Sequence, residues 1–304
     1  MVPAGTGPLR AGWNDPRKDV KLMAREPLIL TPLLKRRLVE ALREDAAWHD
    51  VTTLSCVPAR SRARGAIVAK GSGVVAGLPV VGFLFSRMDR NCRFHPRVVE
   101  GTVVSPGRVV ARIDGPARAL LSVERTALNF LSRLSGVATL ARRLSRMAGQ
   151  GRLYDTRKTT PLWRGLERYA VRVGGGMNHR FDLSSQVLLK DNHLALAGGV
   201  AEAVRRVRRR LGRRAVIEVE VETLEQAREA LAGGADILLV DNATPSRVRR
   251  VQAMAGGRVI LEVSGGLGPD NIARYSRLGV QRLSSGALTH SAPGLDFSLD
   301  LKPA

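Results

Sequence analysis

From Arg152 onward the chain alternates two hydrophobic patterns. Short, nearly continuous apolar runs (RLYDTR, QVLLKDN, AVIEVEVE, DILLVDN, RVILEVSGG and VQRLSSG) are separated by stretches with helical spacing (LERYAVRVG, VAEAVRRVRRRLG, TLEQAREALAGG, PSRVRRVQAM and PDNIARYSRLG). Strands that alternate with helices predict parallel β-α-β units. Runs this apolar predict strands buried on both faces. Six of them over residues 138–291 predict an α/β fold built on an incomplete parallel (β/α) barrel.

The first part of the chain reads differently. Thr31 followed by Pro32 marks a helix start, and Leu34, Leu38 and Leu42 form a helical stripe. Beyond it, short β-branched runs such as Ile67–Ala69 and Val74–Ala76 are punctuated by Gly101, Pro106–Gly107 and Gly115–Pro116. Residues 26–137 therefore form a small β-rich domain with a few helices. A long helix is predicted from Ser122 as N-cap, with Gly136 as an interruption or bend. Residues 1–25 carry glycines and prolines without periodicity, which predicts a flexible extension.

Each apolar run closes on polar residues: Asp155 and Arg157, Lys190, Glu220, Asp241, Glu262 with Ser264, and Ser284. In β/α barrels the strand C-termini and the loops after them build the active site, so these residues are expected to converge. Arg157, Lys158, His179, Arg180 and Lys190 stand at or beside strand ends. Like charges gathered in a pocket are costly unless an anion neutralises them, and a guanidinium pairs bidentately with carboxylate or phosphate. The pattern points to a multiply anionic ligand. Arg164, Arg168 and Arg172 recur every four residues and read as a solvated helix face.

Ser264–Gly265–Gly266 and Ser285–Gly286 follow the two last runs, where backbone N–H groups can cradle phosphate. Glu220 and Asp241 end consecutive runs. They suit Mg²⁺ held through phosphate oxygens, or ribose hydroxyls, or ion pairs with the cations. Glu218, Glu220 and Glu222 share one parity, so the alternation leaves open which of them points inward.

Composition adds limits. A net charge of +22 admits a polyanionic partner, and a basic nucleic-acid-binding protein is the rival class to an enzyme. Aromatics are only 4% of the chain, so stacking platforms for single strands are scarce. Seven arginines fall within 205–214, on a helix whose inward stripe is Val204, Val207 and Leu211, which places them on a solvated outer face. Cys56 and Cys92 lie far apart, and none of the five histidines has a metal spacing with cysteine. That predicts a reducing, cytoplasmic setting without a disulfide framework or zinc site. No run reaches membrane-spanning length and no leader-like apolar region precedes the first helix.

The ordered motifs resemble the quinolinate phosphoribosyltransferase family. They are DVTT at 50–53, ERTALNFLSRLSGVAT at 124–139, DTRKTTP at 155–161, GGGMNHR at 174–180, LLKDNH at 188–193, EVEVE at 218–222, VDN at 240–242, LEVSGG at 261–266 and SSGALTHS at 284–291. The resemblance runs from about residue 28 to 301. It implies an N-terminal α/β sandwich domain joined to an incomplete α/β barrel, with the C-terminal 292–304 packing back on the sandwich. It implies a pentosyltransferase of NAD biosynthesis that joins quinolinate to phosphoribosyl pyrophosphate with decarboxylation, uses Mg²⁺, and works as a homodimer or an assembly of dimers. A related transferase for another aromatic acid is the nearest alternative. By the same resemblance Arg157, Lys158, His179, Arg180 and Lys190 surround quinolinate, with Arg125 supplied by the neighbouring subunit. Glu220 and Asp241 lie near the ribose and Mg²⁺, and Ser264, Gly265, Gly266, Ser285 and Gly286 bind phosphate. Lys158, Lys190, Glu220 and Asp241 carry the reaction chemistry. One departure stands out: the family usually has glycine after the proline of TRKTTP, where this chain has Leu162 and then Trp163.

Overall fold

The structure is a computed structural model that describes residues 27–149 and 152–304. The extension expected over 1–25 lies outside them. Two compact units are present. One comprises Leu144–Lys158 and Gly176–Ala287; the other runs to Arg143 and adds Thr159–Gly175 and Leu288–Ala304.

The second of these units begins with helix Pro32–Glu44. Its N-cap Thr31 accepts a hydrogen bond from the Leu34 N–H, and Leu38 and Leu42 are buried, as the stripe predicts. The sheet of this unit has four antiparallel strands in the order β12-β1-β5-β3. They are β1 (Arg62–Ala69), β3 (Arg93–Pro96), β5 (Val109–Pro116) and β12 (Phe297–Pro303). β2 (Gly73–Val74) and β4 (Val103–Val104) form a separate two-stranded pair. β1 is longer than Ile67–Ala69 because its outer residues, Arg62 and Arg64, are exposed and do not lengthen the apolar run.

Three helical expectations need correction. The long helix starts at Ala117, ahead of Ser122, and runs 32 residues to Ala148. Ser122 lies inside it, and its hydroxyl donates to the Asp50 carboxylate instead of capping. Gly136 does not break this helix. A Cβ there would collide with the Pro293 carbonyl oxygen, so the glycine admits the 293–294 backbone against the helix. The arginines of helix Arg164–Val173 are not a solvated face either. Arg168 is buried and Arg164 and Arg172 are half-buried, and the helix places Glu167, 1% exposed, against Arg133. Charge periodicity alone cannot tell a solvated face from one buried against other polar groups.

The other unit holds a six-stranded parallel sheet in the order β6-β11-β10-β9-β8-β7. The strands are β6 (Leu153–Tyr154), β7 (Val187–Leu189), β8 (Ile217–Val221), β9 (Ile237–Asp241), β10 (Ile260–Ser264) and β11 (Arg282–Ser284). β6 and β7 are consecutive in sequence yet lie at opposite edges. That is the order of a β/α barrel opened between them. A parallel bridge from Tyr154 to Met177 extends the β6 edge into the gap. The six apolar runs are therefore the six strands. The helix Val200–Leu211 buries Val200, Ala203 and Val204; Leu211, expected in the stripe, is 52% exposed at the helix end. Arg205, Arg206 and Arg209 gather around Glu202 on its outer face.

Candidate active site

Because the six strands are parallel, their C-terminal ends share one edge of the sheet. Asp241 pairs with Ser264 across β9 and β10, and Glu220 with Leu239 across β8 and β9. Lys190 follows β7 directly, and its Nζ donates to Glu220 Oε2 at 2.8 Å. Asp241 is half-buried and accepts from Asn242 Nδ2 at 2.6 Å. Both acids offer hard oxygen donors at neighbouring strand ends, a donor set that suits Mg²⁺.

The cations take different places. Arg157 is half-buried and Lys158 exposed, just after β6. Arg180 is buried, and its affinity for a proton is lowered by burial and then by the nearby Arg157 charge. His179 turns inward: its side chain is 7% exposed, with Nε2 3.3 Å from Glu218 and 3.2 Å from Glu262. Arg125 lies in the other unit, exposed on the long helix.

Asp155 and Glu262, expected at the run ends, and Glu218, left open by the alternation, lie buried beneath this edge. Glu218 and Glu262 are fully buried, each on a central strand and facing His179. Glu262 also accepts from the Ser284 hydroxyl and lies 3.5 Å from Arg282, which stacks over the Tyr154 ring. Asp155, also fully buried, accepts from the His179 N–H at 2.7 Å and from Asn178 Nδ2 at 2.6 Å. The available signal was an acid inside an otherwise apolar strand, which a barrel tolerates only with partners.

Protons settle accordingly. Burial opposes charge on His179, but hydrogen bonds to Glu218 and Glu262 outweigh it and push the imidazole up to about 10. The Arg180 amide, however, donates to Nδ1 at 2.9 Å and resists a second proton there. The ring therefore presents Nε2–H to both acids. Burial, reinforced by the Glu262 charge, raises Glu218 as well, so His179 and Glu218 hold the additional proton between them. Burial opposes the Glu262 charge too, yet His179, Arg282 and Ser284 hold that carboxyl low. His179, Glu218 and Glu262 place potential metal-ligating atoms within 4.8 Å of one another among the described residues. Their shared protons make the group a hydrogen-bonded cluster rather than a cation cage.

The glycine turns follow the late strands. Gly265 and Gly266 adopt left-handed backbone, with φ of 91° and 60°. A Cβ on Gly265 would collide with the Asn242 side chain, so only glycine lets this turn pack against the end of β9. The Ser285 hydroxyl donates to the Leu267 carbonyl at 2.6 Å and ties the last turn to this one; Gly286 follows it.

A parallel β/α sheet with arginines, acids and glycine turns at one edge is the arrangement of a β/α-barrel enzyme site. The chain matches the family described as quinolinate phosphoribosyl transferase, N-terminal domain over residues 50–135 and C-terminal domain over residues 137–300. It belongs to that family. It is 42% identical over 270 residues to the probable nicotinate-nucleotide pyrophosphorylase [carboxylating] of Bacillus subtilis, covering 88% of this chain and 93% of that one. It is 38% identical over 282 residues to the human nicotinate-nucleotide pyrophosphorylase [carboxylating], covering 90% and 94%. Among solved structures, NadC from Streptococcus pyogenes superposes with a TM-score of 0.86 at 39% identity, covering 91% of this chain and all of that one.

Proposed function

We propose that this chain transfers the phosphoribosyl group of phosphoribosyl pyrophosphate to quinolinate, with decarboxylation, in NAD synthesis. Family membership across both domains establishes the reaction class. The observation that carries the substrate is the parallel Tyr154–Met177 bridge, which sets Arg157 and Arg180, each three residues beyond it, side by side in a partly buried setting where the Arg157 charge lowers the proton affinity of Arg180. A dianion such as pyridine-2,3-dicarboxylate relieves that opposition and pairs with both guanidinium groups.

In the proposed reaction the ring nitrogen forms a bond to ribose C1 as the C1–O bond to pyrophosphate breaks, the electron pair leaving with pyrophosphate. Glu220 and Asp241 offset positive charge developing on the ribose. They are also the residues that would hold Mg²⁺, which neutralises the departing pyrophosphate when bound. The C2 carboxylate then leaves as carbon dioxide, its bonding pair passing to C2 beside the positively charged nitrogen. A proton at C2 completes nicotinate mononucleotide. Lys158 and Lys190 stand at the same strand edge as Arg157 and serve carboxylate binding and proton delivery. The turns 264–266 and 285–286 serve phosphate. Arg125, exposed on its own subunit, completes the site of a neighbouring subunit in a homodimer. Two free cysteines fit a cytoplasmic enzyme.

The test is product formation from quinolinate and phosphoribosyl pyrophosphate with and without Mg²⁺. Nicotinate mononucleotide and carbon dioxide in equal amounts, dependent on Mg²⁺, are expected. No product from quinolinate, with turnover of another aromatic acid, overturns the substrate assignment.

A further inference from the structure

We infer that Glu218 is a positioning residue for Arg180, holding it from the floor of the parallel sheet through His179 and Gln186. The inference rests on the proposed function, in which Arg180 binds a carboxylate of the substrate.

Four hydrogen bonds close a circuit. Glu218 Oε1 lies 3.3 Å from His179 Nε2, and His179 Nδ1 accepts from the Arg180 N–H at 2.9 Å. The Arg180 guanidinium donates through Nη1 to the Gln186 carbonyl at 2.9 Å. Gln186 Nε2 returns to Glu218 Oε2 at 2.9 Å. Arg180 is thus gripped at its main chain by one partner of Glu218 and at its side chain by the other. The two carboxylate oxygens divide the task, one to each arm.

The arrangement makes physical sense because Arg180 and Gln186 lie in a stretch without helix or strand, between the Met177 bridge and β7. A loop residue has no ladder to fix its orientation. Glu218, by contrast, lies in the middle of the sheet, its strand paired on both sides by β7 and β9, and is fully buried. A binding group on a loop gains precision when a buried group on a rigid element orients it. The buried carboxylate is costly in itself, and its partners are what offset that cost. Glu262 plays a narrower part. It meets His179 from the other side and is anchored by Ser284 and Arg282. Of these two acids, Glu218 is the one that reaches both arms.

The test compares Glu218→Gln, Gln186→Leu and Glu262→Gln with the unmodified protein, by steady-state kinetics and by amide hydrogen exchange over residues 178–187. Glu218→Gln keeps the volume but replaces one acceptor oxygen with an NH2, so its remaining oxygen serves one arm and the other is lost. It is expected to raise the KM for quinolinate about tenfold, the scale of one charge-assisted hydrogen bond. The KM for phosphoribosyl pyrophosphate is expected to stay unchanged, and exchange over 178–187 to quicken. Gln186→Leu, in the half-buried loop, is expected to act the same way, and it carries the test if Glu218→Gln does not fold. Glu262→Gln is expected to disturb the loop less. Combining Glu218→Gln with Gln186→Glu restores donor and acceptor across the pair and is expected to recover the quinolinate KM. A lower melting temperature with both KM values and loop exchange unchanged overturns the inference. If the unmodified chain does not turn over quinolinate, the proposed function fails, and the exchange measurement still decides the role of Glu218.

Discussion

Lys190 and Glu220 form an ion pair across adjacent strand ends, 2.8 Å from Nζ to Oε2. The lysine is 46% exposed at its side chain, so solvent screens the pair. Removing it with Lys190→Ala should therefore change stability by less than about 1 kcal/mol. Turnover should fall far more, by about a hundredfold, if Lys190 works on the substrate. Urea unfolding and steady-state rates measured on one preparation separate the two effects. A large stability loss with near-normal turnover makes the pair structural.

Arg125 offers a test of subunit sharing. Arg125→Ala and Lys190→Ala proteins should each keep only about a hundredth of the turnover. Mixed under conditions that exchange subunits, they should regain activity in heterodimers, because one site per dimer then has both residues. Heterodimers that form and stay inactive overturn the donated arginine.

Leu162 occupies left-handed backbone, φ 67°, and is 63% exposed. A branched side chain in that conformation is strained by about 1–2 kcal/mol, and little packing offsets it here. Its carbonyl accepts from Arg37, which helps hold the turn in place. Leu162→Gly should raise unfolding stability by about 1 kcal/mol after the entropy that glycine adds to the unfolded chain. Thermal unfolding is the readout, and a lower melting temperature refutes the strain.

Cys92 is buried, and burial followed by the Asp89 charge pushes its thiol up to about 11. Cys56 is exposed. Thiolate is the reactive form, so iodoacetamide at mildly alkaline pH should label Cys56 and spare Cys92 until the protein unfolds. Peptide mass analysis distinguishes them.

The His179 cluster predicts a pH dependence. The His179–Glu218 pair, with the imidazole raised from 6.5 to about 10, keeps a proton in the folded state that the unfolded chain has lost. Its contribution to stability is fully present below pH 6.5 and disappears as pH rises through about 10. Unfolding free energy should decline across that window, and Glu262→Gln should flatten the decline. An unchanged slope in that variant places the titration elsewhere.

How much of this was legible beforehand differs by kind of residue. The parallel strands were, because burial on both faces leaves apolar runs such as ILLV that admit few other readings. Their ends were as well: Lys190, Glu220 and Asp241 are where the apolar run stops. The roles of these residues came from the resemblance, since alternation could not choose among Glu218, Glu220 and Glu222. Glu262 was marked as a run end and Glu218 left open, but their burial against one histidine was not legible, because only the fold brings His179 to both strands. Arg168 misled for the same reason, since charge spacing on a helix is silent about what lies opposite. The start of the long helix was masked by Gly115 and Pro116, which read as a turn although Pro116 ends β5 one residue before the helix.

The pairing of β12 with β1 bears on how the protein is made. Ala63 finds its partner in Pro303, 240 positions later (303 − 63), and β12 closes an edge of the antiparallel sheet. During synthesis β1 leaves the ribosome with that edge bare, and it stays bare while every strand of the parallel sheet is translated. Contacts this distant in sequence are slow to form and keep a sticky edge exposed to other nascent chains. Exposed Arg62 and Arg64 on β1 put like charge along that strand, which discourages two such half-made sheets from joining. Truncations that stop before Phe297 should accordingly yield aggregated protein rather than a shorter, working enzyme.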